Sequence, residues 1–184
     1  PLVIVIGFTM VRDGVEDLLR WKSDKKINNS TAHYLRNGQF EDIAWKDISV
    51  GDVIQIKKDE QVPADIVLLS SSNDDGITYI DTCNLDGETN LKIRQALVPT
   101  QYLTTAPKCS EFNATIVCDQ PNNLLYTFNG YIKIGAEQHS LENRQILLRG
   151  CVLRNTHWAN GVVVYTGKES KIMMNSSKSR TKRS

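Results

Sequence analysis

Short strand-like segments separated by turn signals limit what this chain can fold into. Several of these segments are apolar at every position, as expected for strands that are covered on both faces. The strand-like segments lie at Val53–Lys57, 66–69, Thr115–Cys118, 146–148 and 162–165. Many short strands of this kind predict a mainly β fold, such as a sandwich, a jelly roll or a distorted barrel.

Two Asn-Gly pairs predict hairpins, because this dipeptide favours the turns whose twist matches that of paired strands. Asn37-Gly38 separates residues 33–36 from residues 39–41. Asn129-Gly130 separates residues 124–128 from residues 131–134, and apolar residues alternate on both sides of it. By contrast, residues 98–113 are rich in Pro, Thr and Ser, which predicts a surface excursion.

Composition excludes several classes of function. The 184 residues are enough for one sizeable domain, and a net charge of +1 gives no global electrostatic case for binding nucleic acid. The four cysteines form no CxxC pair and the three histidines form no HExxH, so a zinc site is unsupported and free thiols are expected. Positive charge is concentrated from Lys168 onward, where six Lys and Arg residues face one acid, Glu169.

The N-terminal residues predict an apolar segment followed by a helix. Residues 1–8 are almost wholly apolar, but as a helix they would span only about 12 Å, far less than a bilayer. They suit a buried strand or helical turn, or equally the end of a membrane span. Residues 10–26 carry apolar side chains at helical spacing. The missing initiator Met suggests an excised fragment.

The hexapeptide LDGETN, residues 85–90, is the most informative polar motif. Its Asp-Gly pair favours a tight turn that would place Glu88 outward on a loop tip. Taken alone, the motif fits an ordinary polar turn. The nearby Asp81 gives no sign of forming an acid/base pair with Glu88. The stretch 161–169 lacks the spacing of a phosphate-binding loop and is interpreted as a strand followed by a turn at Gly167.

Longer motifs extend along most of the chain. They are RDGVED at 12–17, VGDVI at 50–54, PADIVLL at 63–69, TCNLDGETNLKIRQAL at 82–97, PNNLLYTFNG at 121–130, QILLRGCVLRNT at 145–156, GVVVYTGKESKIMMNS at 161–176 and KRS at the end. Together they resemble the actuator domain of a P-type ATPase. The DGET turn resembles the version found in the type IV branch, the phospholipid-translocating flippases, whereas cation pumps carry Thr-Gly-Glu.

The resemblance implies a distorted jelly roll, or double-stranded β-helix, with an N-terminal stalk helix and short peripheral helices. It implies a stalk at residues 1–26 leading from a membrane span, the actuator β domain at 27–167, and a basic linker at 168–184 toward the next span. The linker is expected to be flexible from residue 176. The whole would be a cytosolic domain of a multi-pass membrane protein.

The resemblance also assigns roles to the DGET residues. Glu88 would orient and help deprotonate the water that attacks an aspartyl phosphate on a separate phosphorylation domain. Gly87 would let the backbone approach that phosphate closely. Asp86 and Thr89 would shape the loop and bind polar partners, with Asn90 in support.

The fragment alone is expected to be inactive and to bind no cofactor. The full-length protein would use ATP and Mg²⁺. Its expected partners are the phosphorylation and nucleotide-binding domains of the same chain, membrane phospholipid and an accessory membrane subunit.

Residues outside the DGET turn have more than one possible role. Two other functions also stay open. Pro63-Ala64-Asp65 is expected to start a strand and not to act in catalysis. Arg149, Arg154 and Asn155 could contact the phosphorylation domain or serve the fold. A cation or polyamine pump is one alternative function. A β interaction module with no catalytic part is another.

Overall fold

The computed structural model describes Arg12, residues 14–16 and residues 29–178. Arg12 and residues 14–16 are helical, and the Arg12 Nε donates to Glu16 at 3.2 Å. The rest of the predicted stalk helix lies outside the described residues, as do the apolar start and the end of the basic tail.

The described residues form a mainly β fold. Its strands are β1 (Thr31–Arg36), β2 (Gln39–Ala44), β3 (Val53–Lys57), β4 (Asp65–Ser71), β5 (Ile77–Asp81), β6 (Lys92–Gln95), β7 (Thr115–Cys118), β8 (Gly130–Ile134), β9 (Glu137–Leu141), β10 (Ile146–Leu147), β11 (Val152–Arg154) and β12 (Trp158–Tyr165). Its α-helices are α1 (Cys83–Asp86), α2 (Ala106–Glu111) and α3 (Lys171–Lys178). Short 3₁₀ turns lie at Trp45–Asp47, Asp74–Gly76, Val98–Thr100, Asn143–Gln145 and Gly167–Glu169. The mainly β prediction and the short peripheral helices are confirmed.

Three antiparallel sheets organise these strands. The largest has the order β10-β4-β12-β3-β1-β2, and the others have the orders β11-β5-β6 and β7-β8-β9. Strand β4 is buried along its whole length, and β12 beside it is nearly so. The continuous apolar runs at these positions therefore do mark strands that are covered on both faces, as the sequence predicted.

The Asn37-Gly38 hairpin is confirmed. Strands β1 and β2 pair from Thr31 with Ala44 to Arg36 with Gln39, so the turn consists of these two residues alone. Both have positive φ, 50° for Asn37 and 77° for Gly38. This is the backbone geometry that a two-residue turn of type I′ requires.

The predicted hairpin at Asn129-Gly130 is wrong. Residues 124–128 form no strand, and β8 pairs with β7 and β9 instead. The tight turn lies at residues 135–136, where Gly135 has a φ of 60°. Gly130 serves a different purpose: a Cβ there would lie 2.5 Å from the carbonyl oxygen of Val117. Its lack of a side chain lets β7 approach β8.

The substitution Gly130→Ala is therefore expected to destabilise the domain by about 1–3 kcal/mol, because the added methyl meets backbone that cannot rotate away. Urea unfolding of the 184-residue chain measures this cost. Ser140→Ala, on the exposed side of the neighbouring β9, is the control and should change stability by less than about 0.5 kcal/mol. Equal stability of both variants would contradict the packing argument.

Two further segments differ from their predictions. Residues 98–113 lie on the surface only in part, because Thr100, Leu103 and Cys109 are buried. The Thr100 hydroxyl donates to the Leu69 carbonyl at 2.7 Å, which fixes the excursion to β4. The basic segment that begins at residue 168 is not an extended linker at its start. It forms α3 from Lys171, whose side chain is fully buried.

Candidate functional site

The DGET residues lie in a connection that is fixed at both ends. Strand β5 ends at Asp81 and β6 begins at Lys92, and these strands pair with each other through Ile80 and Lys92. Helix α1 and the DGET turn fill the space between them. The Asp81 carboxylate accepts the amide of Cys83, the first residue of α1, at 2.9 Å, and its other oxygen lies 3.7 Å from the Arg154 guanidinium, so the contacts that it makes are not with Glu88.

The predicted Asp-Gly turn is the C-terminal cap of α1. The Gly87 amide donates to the Cys83 carbonyl at 3.0 Å, and Gly87 has a φ of 76° and a ψ of 3°. Other residues pay roughly 1–2 kcal/mol for this left-handed conformation, which explains glycine here. A Cβ at Gly87 would have no atom within 4 Å, so this side of the loop is open to a ligand.

Asp86 organises the turn by accepting hydrogen bonds from four groups. The Thr82 hydroxyl donates at 3.1 Å, the Glu88 amide at 2.9 Å and the Lys92 ammonium at 2.5 Å. The Tyr126 hydroxyl donates to Oδ2 of the same carboxylate. The Asp86 side chain is only 12% exposed. Asp86 is therefore directed inward, and its oxygens accept from residues 82–92 of this connection and from Tyr126.

The charges in this cluster stabilise each other. Desolvation alone would raise the pKa of Asp86, but the hydrogen bonds from Lys92, Tyr126, Glu88 and Thr82 outweigh it and lower that pKa. Desolvation would lower the pKa of Lys92, but the hydrogen bonds to Asp86 and Glu88 outweigh it and raise that pKa. Asp86 and Lys92 are thus held as a charged pair over the physiological range.

Glu88 is the outward-facing acid of the loop. Its side chain is 61% exposed, and Lys92 contacts it at 3.0 Å between Nζ and Oε2. Thr89 and Asn90 are exposed beside it. The structure therefore gathers Asp86, Gly87, Glu88 and Thr89 into one ordered turn with a single carboxylate presented to the outside.

The other candidate residues lie outside the DGET turn and make contacts within the domain. Asp65 is buried and accepts the amides of Arg149 and Lys171, each at 2.7 Å. Arg154 binds Asp59 at 2.5 Å. Asn155 has a positive φ of 47°. The structural interpretation of Pro63-Ala64-Asp65 is thus supported, and Arg149 and Arg154 both have partners within the domain.

The stretch 161–169 is strand β12 followed by a turn, as interpreted from the sequence. Within residues 12, 14–16 and 29–178, no group of three or more His, Cys, Asp or Glu side chains is arranged to hold a metal ion. In the same residues, no helix is long and apolar enough to cross a membrane.

Two residues of this site were missed from the sequence. Lys92 carries a recognisable signal, since it is the first cation in the chain after the two acids, four residues after Glu88 and six after Asp86. Tyr126 carries none, because 40 residues separate it from Asp86 and it lies in a segment predicted to be a strand.

Comparisons with known proteins agree on one family. The family described as the P-type ATPase actuator domain matches residues 26–175. The mouse proteins "Phospholipid-transporting ATPase IC" and "Phospholipid-transporting ATPase FetA" are 47% and 45% identical to this chain over 184 residues. "Probable phospholipid-transporting ATPase 5" from Arabidopsis thaliana is 46% identical over 185 residues. Each comparison covers all of this chain but only 15–16% of the relative.

A solved structure supports the same fold. The chain aligns with a zinc-transporting PIB-type ATPase in its E2.Pi state, with a TM-score of 0.51 and 18% sequence identity. The alignment covers 87% of this chain and 18% of the other.

Proposed function

Because this chain belongs to the P-type ATPase actuator-domain family, we propose that it is the actuator of an ATP-driven phospholipid transporter of the type IV branch. The names of its relatives support the choice of phospholipid over cation. The observation that carries the proposal is the DGET turn: one exposed carboxylate, Glu88, on a loop fixed by Asp86.

In the proposed cycle, an aspartate on a separate phosphorylation domain accepts phosphate from ATP, and the actuator presents Glu88 to that acyl phosphate. Glu88 orients the attacking water and accepts its proton, a role suited to an exposed carboxylate. Gly87 leaves room for the phosphate beside the backbone. Thr89 and Asn90 supply polar groups at the rim of this contact.

The remaining parts of the reaction are proposed for the full-length protein. ATP and Mg²⁺ act at its phosphorylation and nucleotide-binding domains, and phospholipid is carried by its membrane spans. The chain described here is then a cytosolic domain that has no turnover of its own. An accessory membrane subunit is a further proposed partner.

The test is ATP hydrolysis by the purified full-length protein in detergent and lipid. We expect hydrolysis that depends on the phospholipid head group, with a phosphoenzyme that hydroxylamine cleaves, as an acyl phosphate requires. Stimulation by metal cations or polyamines, without a response to lipid, would instead favour the cation-pump or polyamine-pump alternative. Absence of both turnover and phosphoenzyme would favour a β interaction module.

A further inference from the structure

The loop between β7 and β8, residues 119–129, connects two distant parts of the domain. Its base is closed by the Asp119 amide, which donates to the Asn129 carbonyl at 3.0 Å. The Asn129 side chain returns a bond to the Asp119 carboxylate, also at 3.0 Å. The Tyr165 hydroxyl donates to the Asp119 carbonyl at 2.5 Å. The β7–β8 loop therefore has a defined shape although it contains no strand.

The tip of the β7–β8 loop contacts the DGET turn through Tyr126. The Tyr126 hydroxyl donates to Asp86, and the Lys92 ammonium lies 3.3 Å from that hydroxyl oxygen. The same ammonium lies 4.5 Å from the centre of the Tyr126 ring. Tyr126 thus contacts both groups that hold Glu88: the acceptor of the Glu88 amide and the cation beside its carboxylate.

The middle of the β7–β8 loop contacts α3 through Lys171. This lysine is fully buried at the first residue of the helix. Its ammonium donates to the Asn122 side chain at 2.7 Å and to the Leu124 carbonyl at 3.1 Å. A buried ammonium is costly without such partners. The position of residues 122–124 is therefore tied to the position of α3.

We propose that Tyr126 is a positioning residue for Glu88, and that Lys171 holds the β7–β8 loop so that Tyr126 reaches Asp86. This inference rests on the proposed function of Glu88. It makes α3 and the DGET turn two ends of one contact network: Lys171 to the loop, the loop to Asp86, and Asp86 to the Glu88 amide. A displacement of α3 would then change the orientation of Glu88.

The kinetic test follows phosphoenzyme decay in the full-length protein after phosphorylation by ATP. Tyr126→Phe removes the hydroxyl and keeps the ring beside Lys92. We expect it to slow decay about tenfold and to leave phosphoenzyme formation unchanged, since a hydrogen bond to a charged group no longer orients the loop. Tyr102→Phe, which removes the hydroxyl of another exposed tyrosine elsewhere on the domain, is the matched control and should decay normally.

The Lys171 end is tested with Asn122→Ala, which changes no residue of α3 but removes one acceptor of the ammonium, an oxygen that also accepts the Leu124 amide. The readout is the amide proton resonance of Glu88 in the 184-residue chain, which reports the bond to Asp86. We expect this resonance to shift in Asn122→Ala and in Tyr126→Phe. It should not shift in Asn113→Ala, an exposed asparagine in the preceding connection.

Glu88→Gln separates failure of this inference from failure of the proposed function. If Glu88→Gln blocks decay while Tyr126→Phe decays at the normal rate, the positioning role is wrong and the proposed function stands. An unchanged Glu88 resonance in Asn122→Ala would remove Lys171 from the network. Normal decay in Glu88→Gln would overturn the proposed function, and the positioning role with it.

Discussion

Glu88→Gln is expected to slow dephosphorylation of the full-length protein by about 10²- to 10⁴-fold, the usual contribution of a positioned general base. Glutamine keeps the size of the side chain and its ability to bind water, but it cannot accept the proton. Phosphorylation by ATP should continue, because it takes place on another domain. The phosphorylated intermediate therefore accumulates.

The measurement is decay of labelled phosphoenzyme after a chase with unlabelled ATP. Glu111→Gln, at an exposed position on α2, is the control and should decay like the unmodified protein. Unfolding of the 184-residue chain should shift by less than about 0.5 kcal/mol for Glu88→Gln, since the side chain is 61% exposed. A normal decay rate in a correctly folded variant would exclude Glu88 as the base.

The geometry of the loop explains how Glu88 can be both ordered and available. Its contact with Lys92 is an exposed ion pair, and such pairs contribute only about 0–1 kcal/mol. Lys92 retains Asp86 as a second and more buried partner at 2.5 Å. Glu88 can therefore leave Lys92 for a phosphate-bound water at small cost, while the turn that carries it stays fixed by Asp86.

The sequence predicted those parts of the fold whose signals are local. Asn37-Gly38 specifies its hairpin because the turn requires positive φ at both residues and both residue types accept it. Asn129-Gly130 is the same dipeptide, but the preceding strand that pairs with β8 is β7, which ends at Cys118 and not just before the turn. The pairing of β7 with β8 depends on how closely their backbones approach at Gly130. The turn preference of an Asn-Gly pair gives no information about that distance.

The same division holds at the site. The Asp-Gly pair correctly placed Glu88 on an exposed turn, since a left-handed glycine that ends a short helix directs the next residue outward. Lys92 and Tyr126, which hold Asp86 in the turn, were not foreseen. Tyr126 reaches Asp86 from the loop between β7 and β8, and a tyrosine flanked by alternating apolar residues gives the pattern of a strand. Helix α3 was not predicted for a similar reason. Its first residue, Lys171, is buried against partners from the β7–β8 loop, and the local sequence gives no sign of them.

Asp65 offers the largest expected effect on stability. Its carboxylate is fully buried and accepts the amides of Arg149 and Lys171, each at 2.7 Å. It thereby joins the start of β4 to the segment after β10 and to the start of α3. Asp65→Ala would leave both amides without an acceptor and remove a negative charge that favours the charged form of the buried Lys171. We expect a loss of about 3–5 kcal/mol in the free energy of unfolding.

This contribution should depend on pH in a defined direction. Burial raises the pKa of Asp65 above its ordinary value of 3.8, although the amide bonds from Arg149 and Lys171 oppose the shift. The folded protein then binds the proton more tightly than the unfolded chain does. The stabilisation linked to that proton is fully present below pH 3.8 and is lost as pH rises through the pKa of the folded state. The difference in unfolding free energy between the unmodified chain and Asp65→Ala should therefore shrink across that window.

Urea unfolding of the 184-residue chain at a series of pH values measures this difference. Asp74→Asn, on an exposed turn, is the control and should follow the unmodified chain at every pH. Because both chains share all other carboxylates, the difference isolates Asp65 from general acid denaturation. A difference that grows with pH would mean that the amide bonds outweigh burial. A loss below 1 kcal/mol at every pH would mean that water or neighbouring side chains satisfy the two amides when the carboxylate is removed.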